Sequence, residues 1–228
     1  MSETPAPSAS LRVLLTLAWP IVLARATQAV VGFTDALMVA PLGEAELAAT
    51  TTGSLNFFAF MILPLGTVFI VQSFAAQLRG RGELGRARRY GWYGLFVAAL
   101  AGVLGALSTL VVPSYVTWFG FEPEVAGHAG AYITIRLLGI GAAVGVEALG
   151  NWYAGLGNTR VSMAVGLLIM GSNIFGNYLL IEPRWGLPGY GVAGSAWASV
   201  GASWLGLVAI LALFLKRDAS APALGALG

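Results

Sequence analysis

Six long apolar stretches are the feature that most limits what this chain can fold into. They cover residues 13–40, 47–77, 90–112, 125–154, 161–181 and 192–215. A helix that crosses a bilayer needs about 20 predominantly apolar residues, and more when it is tilted. Several stretches are longer than that, so tilts, kinks or extensions beyond the membrane are expected. The sequence therefore predicts an all-α integral membrane protein, a bundle of six transmembrane helices.

The composition excludes several other classes of protein. Hydrophobic residues make up 57% of the chain and charged residues 10%, whereas soluble domains carry about 25% charged residues. Disordered chains need low hydrophobicity and high charge, which also does not fit. The absence of Cys and the single His remove disulfides, thiolate or multi-His metal sites and a Cys nucleophile. Without a Ser/His or paired-Asp set within the spans, the chain is predicted to be no enzyme and to hold no cofactor.

The charges of the loops alternate in sign along the chain and so predict its orientation. One set of loops and ends carries nine cations: Arg12, Arg79, Arg81, Arg86, Arg88, Arg89, Arg160, Lys216 and Arg217. The opposite loops carry five acids and one base: Glu44, Glu46, Glu122, Glu124, Glu182 and Arg184. Because cytoplasmic loops are enriched in Lys and Arg, both termini are predicted to be cytoplasmic in a multi-pass bacterial inner-membrane protein.

The segments outside the spans carry little further information. Residues 1–10 and 218–228 are predicted to be loose tails on either side of a membrane lobe at 11–217, and the first lacks the basic region of a signal peptide. The positive-inside rule is sufficient to explain the basic run GRGELGRARRY, and membrane lipid is its predicted partner. No nucleic-acid partner is predicted.

Four ionisable residues lie inside the predicted spans, where a central charge costs roughly 2.5–3.5 kcal/mol on insertion scales. They are Arg25, Asp35, Arg136 and Glu147. Arg25 and Glu147 are a possible intramembrane ion pair. Asp35 follows Pro20, which is expected to bend the first helix. A carboxylate beyond a bend suits ion coupling, but a carboxylate that reaches outer water is an equal alternative.

Polar residues in the fifth and sixth spans offer partners for such a carboxylate. Asn173 and Asn177 are four residues apart and share one helical face. With one carboxylate they could coordinate Na⁺ or bond a protonated Asp35, although asparagines also join transmembrane helices. In the sixth span Ser195, Ser199 and Ser203 form a small polar stripe, which taken alone favours a packing face.

Two further patterns predict packing. The glycines of LGIGAAVG and YGVAG favour close approach of helices. Trp152 and Tyr153, near the inner end of the fourth span, fit the aromatic belt at a membrane interface.

Five segments, in order over residues 11–217, resemble the multidrug and toxic compound extrusion (MATE) family. The first, LAWPIVLARATQAVVGFTDALMVAPLGEAELAA, is similar to the family's helix 1, with its proline, its G-x-x-D-x-x-M-V segment and a short L-G loop. GRGELGRARRY resembles the family's connection between helices 2 and 3. GLGNTR is similar to its G-L-G-D-T-R loop, with Asn158 in place of the usual Asp. NIFGNYLLI and GVAGSAWAS resemble the end of helix 5 and the start of helix 6.

The resemblance implies a cation site that binds H⁺ or Na⁺ at an acid of helix 1 with polar residues of helices 5 and 6. Carried over by motif, that site consists of Asp35, Asn173, Asn177 and, more weakly, Ser199. It implies no other metal. The family normally has twelve helices in two lobes, so six helices make one lobe. The chain is expected to be a fragment, to pair with a second six-helix lobe, or to form a homodimer.

The resemblance also implies a function, which is efflux of small amphipathic or cationic substrates by antiport with H⁺ or Na⁺. One alternative is a lipid-linked precursor flippase of the same superfamily, which Arg25 and Arg136 suggest and Asp35 disfavours. Another alternative is a non-transporting scaffold subunit, which would show no ion-dependent activity.

Overall fold

In the computed structural model, residues 11–118 and 120–216 are described, and no strand occurs among them. The helices are α1 (Leu11–Val39), α2 (Glu44–Gly80), α3 (Leu84–Ser108), α4 (Val112–Thr117), α5 (Pro123–Leu137), α6 (Ile140–Gly155), α7 (Thr159–Leu180) and α8 (Gly191–Lys216). A 3₁₀ turn at Ala40–Leu42 joins α1 to α2. The predicted all-α class is confirmed, whereas the two predicted tails lie outside the described residues.

The predicted spans correspond to these helices in chain order. By length and composition α2, α3, α7 and α8 can each cross a membrane, and the bent pair α5–α6 makes a fifth candidate. In α1 the described apolar part, Ala26–Leu42, is shorter than a full crossing. Four to five spans are therefore supported, and the sixth span stays a prediction.

The fourth predicted span is a broken helix rather than one continuous rod. Its halves, α5 and α6, meet at an angle of 49°. At the break the N–H groups of Leu138 and Gly139 donate to the carbonyls three residues back, at Ile135 and Arg136. These tighter turns interrupt the α-helical ladder. Gly139 also packs closely against Val200 of α8, so the bend is fixed by packing.

Helix α6 is the centre of the bundle because small residues let its neighbours come close. A β-carbon at Gly155 would lie 2.5 Å from the carbonyl oxygen of Gln72 on α2. One at Gly141 would lie 2.9 Å from the Cα of Gly102 on α3. The close packing predicted for the glycines of LGIGAAVG is therefore present.

The aromatic-belt prediction for Trp152 is wrong, because that ring is buried and its Nε1 donates to the Ala87 carbonyl at 2.8 Å.

The basic loops gather at one end of the bundle. Arg79, at the end of α2, donates to the carbonyl of Leu156 at the end of α6, with 2.5 Å between Nη1 and O. Arg88 of α3 donates to the carbonyl of Phe214 near the end of α8 at 3.4 Å. These contacts place the cation-rich connections together, which agrees with the predicted charge asymmetry. The orientation in a membrane, with both termini cytoplasmic, remains a prediction.

Candidate functional site: a buried polar cluster

Three helices bring four sequence-predicted polar residues into one cluster. Asp35 comes from α1, Asn173 and Asn177 from one face of α7, and Ser199 from α8. Asp35 and Ser199 are each 3% exposed, and both asparagines are 0% exposed. The alternative of a carboxylate that reaches outer water does not fit this burial. The cluster contains one acid and no base, so its net charge depends on whether a proton or another cation is bound to the Asp35 carboxylate.

Hydrogen bonds join the four side chains into one network. The Asn177 amide donates to Oδ1 of Asp35 at 2.5 Å, and the Ser199 hydroxyl donates to Oδ2 at 3.2 Å. The Asn173 amide donates to the Ser199 oxygen at 2.9 Å, while Asn177 also approaches Oδ1 of Asn173 at 3.4 Å. Both oxygens of the carboxylate are thus bonded. Buried polar groups that are bonded in this way also fix the register of the helices that carry them.

Two oxygens beside this network have no hydrogen-bond partner among the described residues. They are Oδ1 of Asn177 and Oγ of Ser195, and both are buried. Helices α7 and α8 run antiparallel, so the pairing of Asn173 with Ser199 sets Asn177 one turn further opposite Ser195. An unsatisfied buried polar group costs about 1–3 kcal/mol. Hard cations prefer oxygen ligands, and these two buried oxygens accept no hydrogen bond from the described residues.

A cavity of about 570 Å³ opens beside the cluster. Asn173 and Ser199 form part of its wall, together with Thr27 and Gln28 of α1 and Glu147 of α6. Its size lies within the range of about 300–1,000 Å³ that is usual for small-molecule sites. The polar cluster and the cavity therefore share two side chains.

The remaining sequence-predicted residues have different outcomes. Glu147 accepts a hydrogen bond from the Gln28 amide at 2.5 Å. The side chains of Arg25 and Pro20 lie outside the described residues, so their ion pair and helix bend stay predictions. Sequence reasoning missed Gln28, although the signal was present. Gln28 precedes Asp35 by seven residues, which places both on one face of a helix.

The fold and the site define a class of protein. It is a helical membrane protein with a buried carboxylate and a drug-sized cavity in its interior. The MatE family matches residues 20–179. The chain therefore belongs to the MatE family of membrane transporters.

Curated relatives cover almost the whole chain. Over 212 residues it is 30% identical to a "Probable multidrug resistance protein NorM" of Neisseria meningitidis serogroup B, covering 91% of this chain and 45% of the relative. It is 33% identical to a "Probable multidrug resistance protein NorM" of Rhizobium meliloti, covering 91% of this chain and 44% of that relative. It is 31% identical to "Multidrug resistance protein PmpM" of Pseudomonas aeruginosa, covering 89% and 43%. The chain thus spans about half the length of the curated relatives it matches.

Solved structures agree on the fold. A MOP superfamily transporter from Pyrococcus furiosus superposes with a TM-score of 0.81 at 23% identity, covering 90% of this chain and 45% of the other. A MATE crystallised in complex with MaD3S gives 0.80 at 23% identity, covering 90% and 46%. At this identity the likeness establishes the fold alone.

Proposed function

We propose that this chain is one lobe of a secondary antiporter that exports small amphipathic or cationic molecules in exchange for H⁺ or Na⁺. It would act in the bacterial inner membrane, with six spans and both termini in the cytoplasm. The observation that carries the proposal is the network of Asn177 and Ser199 around the buried carboxylate of Asp35. The multidrug resistance names of the curated relatives support export as the activity.

The coupling step follows from the cost of burying charge. Removal from water disfavours the ionised carboxylate, and a bound proton or cation neutralises it. When Asp35 is neutralised, the hydrogen bonds from Asn177 and Ser199 lose their charge assistance and weaken. Helix α1 can then repack against α7 and α8. Because Asn173 and Ser199 also line the cavity, this repacking would change the cavity wall and release its contents.

The two unpartnered oxygens offer a way to tell H⁺ from Na⁺. A proton needs only the carboxylate, whereas Na⁺ needs several oxygen ligands. Oδ1 of Asn177 and Oγ of Ser195 are oxygens that a cation would satisfy and a proton would not.

Ser195→Ala is expected to separate the two ions. If Na⁺ drives transport, the variant should raise the Na⁺ concentration for half-maximal efflux at least about five-fold, because it loses one oxygen ligand worth about 1 kcal/mol. If H⁺ drives transport, the variant should leave the pH dependence unchanged. Ser203→Ala is the matched control, since the Ser203 hydroxyl already donates to the Ser199 carbonyl at 2.9 Å. Equal responses of both variants to Na⁺ would remove Ser195 from the site.

The half-length of the chain bears on its assembly. Transporters built from two parallel repeats hold their substrate path at the repeat interface, so a single lobe supplies one wall. The proposal therefore includes a second six-helix lobe, which is the rest of a longer polypeptide, a separate chain or a second copy of this one.

The proposal as a whole is tested by flux measurements in proteoliposomes. The purified chain is reconstituted alone, and also with a second lobe taken from a NorM relative. A drug gradient should drive H⁺ or Na⁺ movement, and an imposed ion gradient should drive drug movement. A scaffold subunit would show neither movement with any partner lobe, and that result would reject the proposal.

A further inference from the structure

Arg136 places a permanent positive charge in the wall of the cavity. It lies in the last turn of α5, just before the bend to α6, and its side chain lines the cavity. A charge at such a position within a membrane helix is energetically costly. Such residues generally face protein or a water-filled cavity and have a function there.

The guanidinium of Arg136 is stacked rather than paired. Its Cζ lies 4.2 Å from the centre of the Phe57 ring. Stacking fixes the plane of a guanidinium and leaves its edge N–H groups directed outward, in the fork that matches a carboxylate, sulfonate or phosphate. Nε of Arg136 is buried and has no hydrogen-bond partner in the part of the chain that the structure describes.

The two nearby acids, Asp35 and Glu147, form no ion pair with Arg136. No carboxylate oxygen of the described residues lies within 4.0 Å of its nitrogens, since the ion pairs there join Arg86 to Glu83 and Arg184 to Glu182. Asp35 has both oxygens engaged by Asn177 and Ser199. Glu147 accepts from Gln28. The cavity therefore holds a cation with an unsatisfied buried donor and no bonded counter-anion.

We propose that Arg136 is an anion-binding group of this cavity. Its ligand is the carboxylate, sulfonate or phosphate of an amphiphile, whose apolar body lies against the hydrophobic wall formed by Phe57, Met61, Leu65 and Phe69 of α2. A cavity of about 570 Å³ has room for a drug-sized body. This assignment goes beyond cation export. Asp35 and Arg136 interact through their charges without a shared hydrogen bond or ion pair, so the assignment is tested by direct binding and not by coupled efflux.

A pair of probes with the same apolar body and opposite charges tests the assignment. Naphthalene-1-sulfonate and 1-naphthylmethylammonium are titrated into the full chain in phosphatidylcholine nanodiscs, and binding is followed by calorimetry. The chain should bind the sulfonate more tightly than the ammonium. Arg136→Gln should weaken sulfonate binding at least about ten-fold, the value of one charge-assisted hydrogen bond, and should not weaken ammonium binding. Arg160→Gln, at an exposed arginine outside the cavity, should change neither.

Arg136→Lys keeps the test decisive if the glutamine variant fails to fold. Lysine retains the charge but not the fork, so sulfonate affinity should fall about three-fold or more. Equal sulfonate affinity in the original chain and a folded Arg136 variant would overturn the assignment, as would a preference of the original chain for the ammonium. Failure of ion-coupled efflux in a two-lobe assembly would not affect this result, so the two proposals fail separately.

Competition by anionic lipid distinguishes two sources of the anion, a lipid headgroup and a soluble amphiphile. Nanodiscs that contain phosphatidylglycerol are compared with phosphatidylcholine alone. If the anionic lipid displaces the sulfonate from the original chain, the ligand is a lipid headgroup. If it does not, the ligand is a soluble amphiphile. Both results support an anion site at Arg136.

Discussion

Replacing Asp35 with Asn should abolish ion-coupled efflux in a two-lobe assembly while leaving the chain inserted and folded. The amide of Asn cannot take up a proton at neutral pH and carries no charge to hold Na⁺. Its oxygen can still accept from Asn177, and its NH₂ group can donate to the Ser199 oxygen, so the network of three helices keeps its connections. We expect drug movement driven by the ion gradient to fall to the level of empty vesicles.

The control for this experiment is Glu44→Gln. It makes the same carboxyl-to-amide change at an exposed residue at the start of α2, outside the cluster, and should leave efflux unchanged. Insertion and folding are checked by membrane extraction, size-exclusion profile and helical circular dichroism. Undiminished efflux from a folded Asp35→Asn assembly would show that the carboxylate is not the coupling group.

The membership of the cluster was predictable from sequence because two kinds of signal agree. The spacing of Asn173 and Asn177 fixes a shared face within one helix. Spacing within one helix does not predict which helix faces contact each other. The expectation that Asp35 and Ser199 lie beside the two asparagines came from the resemblance of their segments to the MATE family. The observed bonds join those four side chains.

Other features depend on packing that no local pattern encodes. Helix α6 is almost wholly apolar, with Glu147 and Asn151 as its charged and amide side chains, so its sequence does not distinguish a core-facing Trp152 from one at an interface. The unpartnered oxygen of Ser195 arises from the register of α8 against α7. The stacking of Arg136 on Phe57 joins residues 79 positions apart. Each of these features needs coordinates because it depends on the distance between two helices.

The register that assembles the cluster depends on close contacts between α7 and α8, and one of them is at Gly194. A β-carbon there would lie 2.7 Å from the carbonyl carbon of Leu180 and 3.1 Å from the amide nitrogen of Ile181. Those backbone groups cannot move easily, because the Leu180 carbonyl accepts from Tyr190 at 2.7 Å and the Ile181 carbonyl accepts from Gly191 at 3.0 Å. An added methyl group must therefore push α8 away from α7.

Gly194→Ala should lower the free energy of unfolding by about 3 kcal/mol, at the upper end of typical overpacking costs, because backbone rather than a flexible side chain must yield. The same displacement would draw Ser199 away from Asn173 and Asp35, so ion-coupled efflux should fall together with stability. Gly201→Ala is the matched control on the same helix. Apart from its chain neighbours and the nearby backbone of its own helix, no described atom lies within 4 Å of its added methyl group, and alanine favours helix over glycine by up to about 1 kcal/mol. Unfolding in detergent, followed by tryptophan fluorescence, should separate the two variants. If they unfold at the same denaturant concentration, the register of α8 does not depend on Gly194.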